Sequence, residues 1–178
     1  MHIETTVLVV VDVQGNLAQA MYQKKELLQN LTKLIRGARA LDLPIMLTEQ
    51  NREKLGPTLP ELLEWMPDVT PINKMSFSCY GDEAFVQELR ATRRRRVLLA
   101  GIETHVCIYQ TALDLLHHEY TVDLVVDAVS SRTEQNRQIG LERLGNAGVY
   151  LSSTEMALFE LLRVAQGPAF KAILPIVK

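Results

Sequence analysis

Residues 6–13 read Thr-Val-Leu-Val-Val-Val-Asp-Val (TVLVVVDV). A near-continuous β-branched run of this length is the pattern of a strand buried on both faces, as in a parallel sheet. Downstream, Leu27, Leu28, Leu31, Leu34, Ile35, Ala38 and Leu41 recur at helical spacing, so an amphipathic helix follows and stops before Pro44. Pro44–Thr48 (PIMLT) reads as a second strand, with proline tolerated at its start. A polar stretch with Gly56, Pro57, Pro60 and Pro67 holds one short helix at Glu61–Trp65, and Pro71–Lys74 forms a short third strand. Asp82–Arg93 is helical, Val97–Ile102 (VLLAGI) is a fourth strand, and His105–His118 is the helix after it. Val122–Asp127, Thr133–Ala147, Val149–Leu151 and Thr154–Gln166 continue the alternation, with Ser152 and Glu155 spaced as a capping box for the last helix. Repeated strand–helix units imply right-handed crossovers. The expected fold is α/β: a three-layer α/β/α sandwich around a mostly parallel sheet of about six strands.

The whole of residues 1–178 is expected to be one domain, because no linker, repeat or second composition regime interrupts it. Apolar residues make up 47% and charged residues 22%, which excludes a disordered chain. Lys and Arg number 19 against 21 Asp and Glu, a formal charge of −2 without the broad basic footprint of a nucleic-acid binder. The run Arg93–Arg96 ends a helix, where cations are favoured, and has no interleaved aromatics. No apolar run is long enough for a membrane span, and Val7–Val11 lacks the flanks of a signal peptide. With only Cys79 and Cys107, a cytoplasmic, reducing setting is expected.

In an open parallel sheet, ligands bind beyond the carboxyl ends of the strands. There the sequence places Asp12, Thr48-Glu49-Gln50-Asn51, Lys74, Gly101-Ile102-Glu103-Thr104, Asp127 and Ser152-Ser153. Asp12 is a carboxylate inside an apolar run and needs a cationic or donor partner; a structural strand-end cap is the plainer reading. Lys74 alone would pass for a surface lysine. Cys107 lies three residues after Thr104, a good N-cap, which puts the sulfur near a helix N-terminus that favours thiolate. Unpaired amides there would also hold an oxyanion. Cys79 reads as core or loop filling. Phosphate-loop, dinucleotide and serine-elbow motifs are absent. No histidine lies between residues 3 and 104, and adjacent His117 and His118 diverge on a helix, so neither a metal nor a cofactor is expected.

Together these segments resemble the isochorismatase-like hydrolase superfamily, the cysteine hydrolases that include nicotinamidases. The resemblance runs through VLVVVDVQ at 7–14, KMSFSCY at 74–80, LLAGIETHVCI at 98–108, DAVSSRTEQN at 127–136 and SSTEMALFELL at 152–162. It implies a triad of Asp12 as general base and acid, Lys74 beside it, and Cys107 as nucleophile toward a carbonyl carbon. It also implies a cis peptide joining Ile102 to Glu103, with the Glu103 and Cys107 amides aimed at the oxyanion. Where nicotinamidases carry a metal-binding Asp-x-His, this chain has Glu49-Gln50-Asn51, so the resemblance points away from a catalytic metal and from nicotinamidase activity. Isochorismatases proper lack a nucleophilic cysteine, so that activity is not expected either. Gln14, Phe77, Tyr80 and His105 are the candidate substrate-binding residues.

The leading expectation is a cysteine-dependent hydrolase of a small amide or related acyl compound. Its counterpart is a small-metabolite binding or scaffold protein on the same fold. Homo-oligomers, dimeric or larger, are common by resemblance. The apolar segment from Gly167 to Lys178 either covers a neighbouring copy or folds back on its own core.

Overall fold

The computed structural model describes residues 1–178. The chain runs β1 (Thr6–Val11), α1 (Gly15–Gln19), α2 (Lys24–Ala40), β2 (Ile45–Gln50), α3 (Arg52–Leu55), α4 (Pro60–Leu63), β3 (Ile72–Lys74), α5 (Glu83–Ala91) and β4 (Arg96–Ile102). It continues with α6 (Tyr109–His117), β5 (Thr121–Ser130), α7 (Glu134–Asn146), β6 (Tyr150–Ser152), α8 (Thr154–Leu162) and α9 (Gly167–Val177). All six strands are parallel, in the order β3-β2-β1-β4-β5-β6.

Every residue of β1 is buried, and the pleat divides them. Leu8 and Val10 join a core with Leu31, Leu34 and Ile35 of α2 and Leu158 of α8. Val7, Val9 and Val11 face the other way, toward Phe85 and Leu89 of α5 and Ala112 and Leu115 of α6. The alternation of period two therefore yields two cores from one strand, which is why β1 carries no polar face.

Several local expectations change. Helix α8 is capped by Ser153, whose hydroxyl accepts from the Met156 amide, one residue on from Ser152. Strand β5 runs on to Ser130, so Asp127 is not at a strand end. Its Oδ1 instead accepts from the amide and hydroxyl of Thr154, at 2.8 and 2.9 Å, and ties β5 to the start of α8. The C-terminal segment is the helix α9, which folds back: Ile173 and Ile176 are buried in the α2 core, and Lys33 Nζ donates to the Val177 carbonyl.

Candidate active site

Strand order reverses direction at β1, which has β2 on one side and β4 on the other. A crevice forms at the carboxyl ends of strands flanking such a switch point. The chain leaves β1 at Asp12, β3 at Lys74 and β4 at Ile102, all at the carboxyl edge of the sheet.

Asp12 takes a left-handed backbone with φ 55°, a conformation that aspartate tolerates better than most residues, and its amide donates to the Thr48 carbonyl. Both carboxylate oxygens are satisfied. Thr48 Oγ1 donates to Oδ1 at 2.7 Å, and Lys74 Nζ donates to Oδ2 at 2.7 Å. Lys74 is wholly buried, and its ammonium also reaches Gln50 Oε1 at 2.8 Å and the Ser76 and Phe77 carbonyls at 3.2 Å. An unpaired buried ammonium would be costly, and here every donor direction is occupied. Burial alone would push this ammonium down; the Cys79 sulfur, the Asp12 carboxylate and the Cys107 sulfur more than reverse it, and Lys74 is held above its ordinary range.

Gly101 governs how closely β4 approaches β1 ahead of the segment that carries Cys107. Its φ is 118°, and a Cβ there would lie 2.2 Å from the Val11 carbonyl oxygen. Only glycine lets β4 press this closely on the end of β1, one residue before Asp12. The pairing of β4 with β5 slips between Leu99 and Gly101. The Ile102–Glu103 peptide is cis. Thr104–Ile108 then forms a π-helical turn leading into α6, with Glu103 in the N-cap position and no side-chain cap. The expected Thr104 cap is not made; the Thr104 hydroxyl is buried without a partner. Gly140 of α7 packs on this turn, where a Cβ would meet the Thr104 carbonyl carbon at 3.1 Å and the His105 nitrogen at 3.2 Å.

Cys107 is 7% exposed, against 1% for Asp12. Burial pushes the thiol well up; the Asp12 carboxylate adds to this and Lys74 opposes it. The sequence reading expected the helix terminus to favour thiolate; burial acts in the opposite direction. Cys79 is also buried, with its sulfur 3.7 Å from Thr48 Oγ1, and burial pushes its thiol up to about 11.

The remaining candidates divide. Gln14 is buried and committed: Nε2 donates to the Gln50 and Gly56 carbonyls, and Oε1 accepts from the Gln50 amide at 2.6 Å. It clamps the β2 exit and has no free group for a ligand. Phe77 contributes its carbonyl to Lys74, while its side chain is 55% exposed on the rim. Glu103 Oε2 accepts from the amide and Nε of Arg132, at 3.0 and 3.1 Å. His105 Nδ1 lies 2.9 Å from Ser131 Oγ. Tyr80 turns away: its ring stacks on His118 at 4.1 Å and lines a different cavity. Thr48, Gln50, Ser131 and Arg132 join the site although none had been singled out as a binding residue. Thr48 and Gln50 sit at a strand exit and Ser131 and Arg132 in the DAVSSRTEQN motif, which was the available signal. No group of three or more His, Cys, Asp or Glu residues stands close enough to hold a metal ion.

The family model described as the isochorismatase domain matches residues 6–156. The secreted isochorismatase effector Isc1 of Phytophthora sojae is 40% identical over 180 residues, covering 98% of this chain and 85% of the relative. Among solved structures, the MAR1 ribonuclease of Caenorhabditis elegans superposes with TM-score 0.93 at 33% identity, covering 99% of this chain and 91% of that one. The YcaC product of Escherichia coli, described as an octameric hydrolase of unknown specificity, gives TM-score 0.91 at 25% identity, covering 98% and 91%.

Proposed function

Because the chain belongs to the isochorismatase family, whose members are hydrolases, we propose that it hydrolyses a small amide or related acyl compound through Cys107, Asp12 and Lys74. The observation that carries this reading is the buried Lys74–Asp12 pair, 2.7 Å apart, whose two charges both act on the Cys107 thiol. Asp12 takes the Cys107 proton as sulfur attacks the carbonyl carbon, and a tetrahedral oxyanion forms. The Glu103 and Cys107 amides serve as the oxyanion donors. The C–N bond breaks as Asp12 returns the proton to the departing nitrogen, leaving a thioester on Cys107. Water, deprotonated by Asp12, attacks the thioester; the acid is released and the thiol regains its proton. Lys74 holds the Asp12 carboxyl group in place throughout. The Glu103–Arg132 pair and the His105–Ser131 contact form the mouth, where the acyl group enters.

Neither a metal nor a cofactor enters this scheme. We place residues 1–178 as one hydrolase domain that self-associates; the octameric neighbour supports this, as do Tyr150, Leu151 and Met156, exposed at the β6 edge and on α8. No helix is long and apolar enough to cross a membrane, and we place the protein in the cytoplasm on its free cysteines.

The test is ammonia or amine release from a panel of small amides by the wild type and by Cys107→Ser. Release lost in the variant supports the reading. Ligand binding without turnover in both would favour a metabolite-binding protein.

A further inference from the structure

Arg90, Arg93, Arg94 and Arg95 line a cavity of about 570 Å³ together with His118. It lies at the amino ends of β4 and β5, at the opposite edge of the sheet from Asp12 and Cys107. Tyr80 and Tyr120 complete its wall, edge to face at 6.2 Å.

The charge balance of this cavity is unusual. In the run Arg93–Arg96, Arg96 is neutralised by Asp123, but none of the four cavity arginines forms an ion pair, and no carboxylate lines the cavity. Arg94 donates to the Ile3 carbonyl at 2.5 Å, and Arg95 sits over the Tyr120 ring at 5.3 Å. Both contacts orient a guanidinium without cancelling its charge. The carboxyl ends of α5 and α6 supply about half a negative charge each, far short of four cations. A solvated basic face would be convex and interspersed with acids; this one is concave and single-signed. The guanidinium fork matches phosphate oxygens in pairs. A formal charge of −2 for the whole chain argues against a basic track for a nucleic-acid strand.

We propose that this cavity binds a small diphosphate-bearing anion, either a nucleoside diphosphate or diphosphate itself, independently of the Cys107 site. The sequence run showed no interleaved aromatics because the tyrosines arrive from residues 80 and 120.

The test is calorimetric titration of the full chain with ADP, inorganic pyrophosphate and adenosine. It is repeated on Cys107→Ser and on the double variant Arg90→Gln, Arg93→Asn. Asparagine suits the left-handed backbone at position 93, where φ is 57°. ADP and pyrophosphate should bind saturably and adenosine should not, with affinity falling as salt rises. Cys107→Ser should bind as the wild type does. The double variant should bind more weakly by about tenfold per arginine, with its unliganded melting midpoint unchanged. If the double variant melts early, Arg90→Gln alone carries the comparison. ADP binding more tightly than pyrophosphate would identify the nucleoside form; equal affinities would identify diphosphate alone. No saturable binding of either, or equal binding by the variant, overturns the proposal. So does a single-stranded RNA that binds through these arginines while ADP and pyrophosphate do not.

Discussion

At the scale of single residues, the site combines a buried ion pair with a thiol that is hard to ionise. Asp12 raises the Cys107 thiol and Lys74 lowers it. Replacing Asp12 by Asn removes the raising charge and leaves the lowering one, so more Cys107 is thiolate at a given pH. Asp12→Asn should therefore be alkylated faster by iodoacetamide near pH 8 while losing turnover; slower alkylation would contradict the electrostatic account. In the wild type, labelling of Cys107 should climb through the alkaline range without a plateau near neutrality. Cys79, at about 11 and wholly buried, should stay unlabelled in the folded protein. Lys74→Met leaves the Asp12 carboxylate buried without its cation and should cost about 3 kcal/mol or more in urea unfolding. Asp12 and Cys107 stood out at a strand exit and a helix start that the apolar pattern marks, whereas Lys74 alone passed for a surface lysine and was joined to them only by the family resemblance. The burial of Lys74 was not legible, because its partner is 62 residues away. Gln14 misled for the converse reason: its position is on the rim, but backbone groups of Gln50 and Gly56 consume its amide.

At the scale of elements, two glycines set where the turn carrying Cys107 lies. Gly101 admits β4 against Val11, and a side chain there collides with backbone that cannot yield. Gly101→Ala should lower stability by about 2 kcal/mol or more and take activity with it. Gly140→Ala is the more informative change. Its added carbon would press on Thr104 and His105 at 3.0–3.2 Å, displacing the turn by a few tenths of an ångström. Activity should then fall more than stability, because catalysis is sensitive to small misplacement of reacting atoms. Equal losses in kcat and in the unfolding midpoint would indicate a packing role alone. The strands and long helices were readable from periodicity. The π-helical turn at Thr104–Ile108 was not: its residues suit an ordinary helix start, and its geometry follows from contacts with α7 and the β4 exit.

At the scale of the whole molecule, the parallel sheet separates the two proposed sites. The triad lies at its carboxyl edge and the arginine cavity at its amino edge, each assembled from segments far apart in the chain. That separation explains why the alternation of strands and helices disclosed the fold while the arginine cavity stayed hidden. Tyr150 and Leu151 on β6 and Met156 on α8 are large exposed apolar side chains. Leu151→Glu with Met156→Glu should reduce the sedimenting mass of an assembly built through these side chains, whereas truncation at Gly167 should chiefly lower stability, since α9 covers its own core. An unchanged assembly in the double variant would place the interface elsewhere.

The central claim is that Cys107 forms a covalent acyl intermediate with Asp12 as its base. Intact-mass spectrometry after mixing the protein with small amides and activated esters, quenched in acid, tests it directly. The account predicts an acyl adduct mapped to Cys107 in the wild type and none in Cys107→Ser. Turnover or an adduct that persists in Cys107→Ser would contradict it.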